Sequence, residues 1–167
     1  MAYTIYLLED PRQLTAVVDF FIAHKTNTYI SHGEITGGRA DDPNNWNKDL
    51  AAILTAQYSK AFEQQAHEAL RILIAADDTG TILGIAAFNI IYTPRKNYAI
   101  LEDMIIAQAA RGQSLGSKIL AFAQQADFLQ DAAFILLESG IHNEQAHHFF
   151  EKNGFEKVSV NYLKKLK

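Results

Sequence analysis

The sequence predicts an α/β domain: a central mixed sheet with helices on both faces. Three observations point there. Two long apolar, β-rich runs at 70–76 and 81–93 are joined by Asp77-Asp78-Thr79-Gly80, which reads as a hairpin and so as antiparallel pairing. Beyond residue 106 the pattern becomes helix, strand, helix, strand, and helical crossovers return strands in parallel. The 167 residues are 49% hydrophobic, enough for a sizeable core but too few for two ordinary domains, so 1–167 is read as one domain.

Taken in order, residues 3–8 form a first strand, Tyr3, Ile5 and Leu7 alternating with Thr4, Tyr6 and Leu8. Asp10-Pro11 opens a helix, with Asp as N-cap and Pro at the first helical position. Leu14, Val17, Val18, Phe21 and Ile22 give that helix one buried stripe. From 25 to 48, Gly33, Gly37, Gly38, Pro43, Asn44, Asn45 and Asn47 mark a long irregular connection. A second helix is expected over 49–69, with Leu50, Ile53, Leu54, Gln57 and Tyr58 inward. The hairpin follows, then a turn at 94–97 and a strand at 98–106. Next comes a helix with Leu115, Ile119, Phe122, Ala126 and Leu129 on one face, and a short buried strand at 133–138. Asn143 caps a helix that stops at Asn153-Gly154, and a last strand is expected over 155–166, carrying Lys157, Lys164 and Lys165. The order is β-α-α-β-β-β-α-β-α-β. A cleft is expected where antiparallel and parallel parts of the sheet meet.

Composition narrows the function. Fifteen Lys and Arg against nineteen Asp and Glu leave a net charge of −4, which argues against general nucleic-acid binding. The absence of cysteine excludes disulfides, thiolate nucleophiles and Cys-ligated zinc. No apolar run reaches the ~18 residues of a membrane span, and Glu9 and Asp10 stand where a signal peptide would be basic. A cytoplasmic protein without membrane or nucleic-acid partners is expected. His142, His147 and His148 do not form a metal site by spacing, since 147 and 148 fall on different helical faces.

The stretch richest in chemistry runs from Leu101 to Ser117. A strand ends, Arg111 and Gly112 follow, and a helix begins whose first turn holds Gly116. Free amides at a helix start, with the helix dipole behind them, bind phosphate. Arg111 adds a charged donor, and the two glycines permit an unusual turn and a close approach. The spacing is neither that of a P-loop nor that of a dinucleotide fingerprint. By itself the stretch is equally an ordinary strand-to-helix turn.

Arg111-Gly-Gln-Ser-Leu-Gly116 resembles the acyl-CoA pyrophosphate loop of the GNAT (Gcn5-related N-acetyltransferase) superfamily, usually written Gln/Arg-x-x-Gly-x-Gly/Ala. The segment from Ile135 to Phe155, with Asn143-Glu-Gln-Ala-His-His-Phe-Phe-Glu-Lys-Asn-Gly-Phe, is similar to that family's later strand and helix. The resemblance implies acetyl-CoA as co-substrate and no metal. It implies that Arg111, Gly112, Gln113, Ser114, Leu115, Gly116 and Ser117 cradle the pyrophosphate. Met104, Ile105 and Ile106 would pair through backbone groups with the pantetheine arm, in a gap where the fourth and fifth predicted strands splay. Asn143, Ala146, Phe149 and Phe150 would form the other wall. Two departures stand out: Ser114 replaces a preferred glycine, and Phe150 replaces a tyrosine commonly proposed to protonate the departing thiolate. Water, Ser139, Tyr92 and Tyr98 are the candidate substitutes.

An ammonium cannot attack a thioester, so a base must first free the lone pair. Glu102 and Asp103 are adjacent on a strand and are expected to point to opposite faces, leaving one for the acceptor cleft. Glu102 matches the position where several family members place a carboxylate, and is the candidate base; a structural carboxylate is the alternative. Strand amides, Met104 or its neighbours, are expected to stabilise the developing oxyanion. The acids Glu34, Asp41 and Asp42 in the connection favour a small cationic amine as acceptor. A non-catalytic acyl-CoA-binding or regulatory module and a protein N-acetyltransferase are the other readings. A homodimer fits the resemblance, although no interface signature stands in the sequence.

Overall fold

The computed structural model describes residues 2–63, 65–164 and 166. Its main sheet has five strands: β1 (Tyr3–Leu7), β4 (Glu68–Asp77), β5 (Ile82–Ile91), β6 (Tyr98–Ile106) and β7 (Ile135–Leu136), side by side in that order. The first three pairings are antiparallel, and β6 pairs β7 in parallel. The sheet is therefore mixed, as expected. The turn joining β4 to β5 closes with Gly80 donating to Asp77 at 2.9 Å, and Gly80 takes the positive φ of 84° that the turn requires.

Helices cover both faces. On one, α1 (Leu14–His24) buries Val17, Val18, Phe20 and Phe21, and packs beside α3 (Leu50–Tyr58), which buries Leu50, Leu54 and Tyr58. On the other, α4 (Leu115–Gln125) lays Leu115, Ile119, Leu120 and Ala123 on the sheet, with Phe122 turned outward. Phe88 on β5 meets Phe128 on this side at 5.8 Å. α5 (Glu144–Lys152) is capped by Asn143, whose Oδ1 accepts from the Ala146 amide. Gly154 then turns the chain at a φ of 88°. Among the described residues no helix is long and apolar enough to cross a membrane.

Four expectations are corrected. The connection at 25–48 is not irregular: Ser31 and Glu34 form a capping box that starts α2 (His32–Thr36), and a small hairpin follows, β2 (Ala40–Asp42) with β3 (Asn45–Trp46). The helix expected over 49–69 ends at Tyr58 and a short turn, because Glu68 already belongs to β4; Gln64 lies outside the described residues. The strand expected at 133–138 pairs only at Ile135 and Leu136. No strand forms over 155–164: so short a β7 offers almost no edge to pair with, and Val160 and Tyr162 stay 74% and 95% exposed. Lys165 lies outside the described residues.

Candidate functional site

β6 and β7 pair Ala99 with Ile135 and Ile100 with Leu136, joined just before by Ala133 donating to Asn97 at 2.8 Å and Ala99 to Phe134 at 3.0 Å, and then part. Beyond that point β6 has no strand on one side. The Ala107 amide donates to Leu83 of β5 at 2.9 Å, so by alternation Ile105 turns its peptide towards β5 while Met104 and Ile106 present theirs to the gap. Ile105 is buried in the core, whereas Met104 and Ile106 are half-buried. Of the three predicted arm-binding residues, two therefore face the gap.

At the gap's far end the chain forms the predicted loop. Gly112 adopts a φ of 75° and Ser114 a φ of 60° with ψ 15°, both left-handed, before α4 begins at Leu115. The first helical turn closes only with Lys118 donating to Ser114 at 3.1 Å. Among the described residues, the amides from Gly112 through Gln113, Ser114, Leu115 and Gly116 to Ser117 have no protein acceptor. That is a concave row of donors fit for an anion. Arg111 folds back over the mouth of the gap, its Nε donating to the Ile106 carbonyl at 3.1 Å.

The opposite wall is α5. A Cβ on Gly116 would meet Phe149 Cζ at 2.9 Å and Met104 Cε at 3.2 Å. The glycine thus makes room for the Phe149 ring. Phe150 packs edge-on between Phe149 and Phe155, at 5.2 and 5.4 Å, with no polar group of its own to offer. Ala146 is half-buried on the same helix, and Asn143 spends its side-chain oxygen on the helix cap. Among the proposed substitute donors, Tyr98 stacks on Phe134 and Tyr92 is 40% exposed, while Ser139 Oγ is buried without a partner.

Beside the gap lies a cavity of about 280 Å³. Glu34, Glu68, Glu102, Asp103 and Glu138 line it, against Arg39 and Lys60. Both Glu102 and Asp103 reach it, which corrects the opposite-face expectation. The reason is a β-bulge: Ala87 pairs with Asp103 and Phe88 with Leu101, leaving Glu102 as the extra residue. Burial first, and the Asp103 carboxylate next, push the Glu102 carboxyl above its ordinary range, with Arg39 and Asn89 pulling the other way. Of the acids in the connection only Glu34 lines the cavity, and its Oε2 is held by the Ser31 amide and hydroxyl. Asn89 donates to Glu68 at 2.9 Å, which leaves its own Oδ1 buried and unpartnered on the cavity wall.

Asp103 gathers residues that sequence reasoning passed over. Its side chain is wholly shielded and accepts from Arg39 Nη1 at 2.7 Å, Tyr29 at 2.9 Å and Tyr58 at 2.9 Å. Burial lowers the Arg39 pKa, but the adjoining carboxylate outweighs it and the net shift is upward. Burial and the same carboxylate push Tyr29 and Tyr58 well above the usual tyrosine value, so both keep their protons. The Tyr29 hydroxyl also accepts from the Met104 amide at 3.2 Å. Tyr29 and Arg39 sit in the connection read as irregular. An aromatic and a cation in so polar a stretch were the only signal available.

Solved structures share this fold. An aminoglycoside N-acetyltransferase in complex with CoA superposes with a TM-score of 0.68 at 15% identity, covering 99% of this chain and 96% of that one. A glucosamine-6-phosphate N-acetyltransferase from Arabidopsis thaliana gives 0.63 at 15%, with both chains covered completely. A protein described as a transcriptional regulator from Bacillus halodurans gives 0.65 at 20%, covering 98% and 99%. No curated protein matches the sequence. The profile of the Acetyltransferase (GNAT) family matches residues 40–155, a span holding β6, the Arg111 loop and α5 together. The chain belongs to the GNAT acetyltransferase family.

Proposed function

We propose that this chain moves an acetyl group from acetyl-CoA to a primary amine on a small cationic molecule. The observation that carries the reading is the carboxylate-lined cavity set against the gap between β6 and β7. The free amides after Arg111 fit a diphosphate, and the gap-facing peptides of Met104 and Ile106, which bond side chains (the Tyr29 hydroxyl and Arg111 Nε) and no neighbouring strand, fit an extended amide-bearing arm. Acetyl-CoA supplies a thioester carbon open to attack by nitrogen. Glu102 takes a proton from the acceptor ammonium, aided by a carboxyl whose raised pKa makes it a better base near neutrality. Glu68, Glu138 and the unpartnered Asn89 Oδ1 give a cationic, donor-rich acceptor its partners.

Thiol release from acetyl-CoA, measured across polyamines, amino sugars and amino acids, tests this. Turnover with at least one cationic amine is expected. CoA binding without turnover on any amine would favour a second reading, a non-catalytic acyl-CoA-binding module. The apolar packing of Phe150, where the family's tyrosine stands, is what speaks for that alternative.

A further inference from the structure

We infer that the Tyr29 hydroxyl is a second hydrogen-bond donor to the acyl oxygen, acting as a pair with the Met104 amide. This rests on the acetyltransferase reading and deepens it. Tyr29 reaches the gap from a turn (Asn27–Tyr29) that packs against the chain leaving β7: a Cβ on Gly140 would meet the Ile30 carbonyl at 2.8 Å and the Thr28 carbonyl at 3.4 Å. The ring is held edge-on by Phe21 at 5.7 Å and beside Trp46 at 6.1 Å. Its oxygen lies 3.2 Å from the Met104 nitrogen, longer than the 2.9 Å it keeps to Asp103.

Two donor atoms 3.2 Å apart can serve one oxygen. An acyl oxygen about 2.9 Å from each completes a nearly equilateral triangle, within the range that oxyanion donors need. Neither backbone nor ring has to move. The Met104 N–H, whose direction the peptide plane fixes, is shared between the hydroxyl and the acyl oxygen as a bifurcated donor, and the phenolic proton turns from Asp103 towards the same acyl oxygen. Asp103 tolerates the loss, because Oδ1 keeps Arg39 and Oδ2 keeps Tyr58. Burial raises the Tyr29 pKa, so the proton is present to be offered.

The atoms balance as follows. The acceptor ammonium gives one proton to Glu102, and its nitrogen lone pair forms a bond to the acyl carbon. The carbonyl π pair moves onto oxygen, where Tyr29 and Met104 hold it. It returns as the carbon–sulfur bond breaks, and the second nitrogen proton ends on the departing sulfur. Tyr29 donates a hydrogen bond throughout and loses no proton.

The test is Tyr29→Phe in the full chain, read by kcat, by the KM for acetyl-CoA, and by the infrared stretch of bound carbonyl-13C acetyl-CoA. A kcat lower by roughly 10²-fold is expected, with KM within about three-fold. The bound carbonyl stretch should rise, a signature that loosened packing alone does not produce. Turnover within about three-fold of the parent, or an unmoved stretch, overturns the inference. Should Tyr29→Phe fail to fold, 3-fluorotyrosine at position 29 keeps the ring and hydroxyl while sharpening the donor. It should lower the carbonyl stretch further, and no change would overturn the inference. A parent chain without turnover sinks the acetyltransferase reading and this inference together; normal parent turnover with an unaffected Tyr29→Phe sinks this inference alone.

Discussion

Arg39 and Asp103 stand 64 positions apart in sequence, yet their Nη1 and Oδ1 atoms meet at 2.7 Å, the carboxylate shut off from solvent. The pair fastens the segment that carries α2 and the small hairpin to the middle of β6. Guanidinium does not deprotonate in a protein, so removing the carboxylate strands a buried cation. Asp103→Asn is expected to cost about 3–5 kcal/mol, since Tyr29 and Tyr58 lose their charged acceptor as well. Urea denaturation of both chains measures it. A loss below about 1 kcal/mol would mean that the pair contributes no more than a surface ion pair does.

Glu102 should leave its mark on both stability and rate. Its carboxyl is raised above the ordinary 4.5 by burial and by Asp103. Between 4.5 and the raised value the native state holds a proton that the unfolded chain has released, so stability falls as pH rises through that window. Below it both states are protonated and the penalty vanishes. Glu102→Gln is therefore expected to raise Tm at pH 7 and to leave it unchanged near pH 4. In the parent, kcat/KM should climb with pH through the same window as the base ionises. The variant should lose that limb and about 10²-fold or more in rate.

Local signals were legible in the sequence and long-range ones were not. The turn at Asp77–Gly80, the limits of β6, the Asn143 cap and the Gly154 stop depend on residues a few positions apart, and each formed as expected. The glycine-rich loop was visible for the same reason. Tyr29 and Met104 lie 75 positions apart, and nothing local brings them together. Glu102 and Asp103 were assigned to opposite faces because strict alternation knows nothing of a bulge, which exists only through the register of β5. The last strand expected over 155–166 needed a long partner edge, which the two-residue β7 does not offer, and Val158, Val160 and Tyr162 stay exposed.

Phe150 sits at a contact between two other rings, 5.2 Å from Phe149 and 5.4 Å from Phe155. Phe150→Tyr adds one hydroxyl to a half-buried ring, so the fold should survive. If departure of the thiolate limits turnover, the new acid should raise kcat, by up to roughly 10²-fold, with KM for acetyl-CoA little changed. Stopped-flow thiol release compares the two chains. An unchanged kcat would show that the thiolate, with a pKa near ~8.5, leaves unaided.

Gly112 and Ser114 permit an internally controlled experiment on the anion loop, because both are left-handed, at φ 75° and 60°, and only one is glycine. A Cβ at Gly112 meets nothing within 4 Å, so Gly112→Ala carries a conformational cost alone, about 1 kcal/mol. Ser114 already bears that cost. Ser114→Gly relieves it against a greater loss of chain entropy on folding, a net gain of about 0.5 kcal/mol. Both variants keep every amide, and Ser114→Gly lets the donor row hold its curvature without strain. CoA affinity, measured by calorimetry, should thus fall in Gly112→Ala and hold or improve in Ser114→Gly. Weakening in Ser114→Gly would mean that the serine side chain, and not only the amides on either side of it, holds the diphosphate.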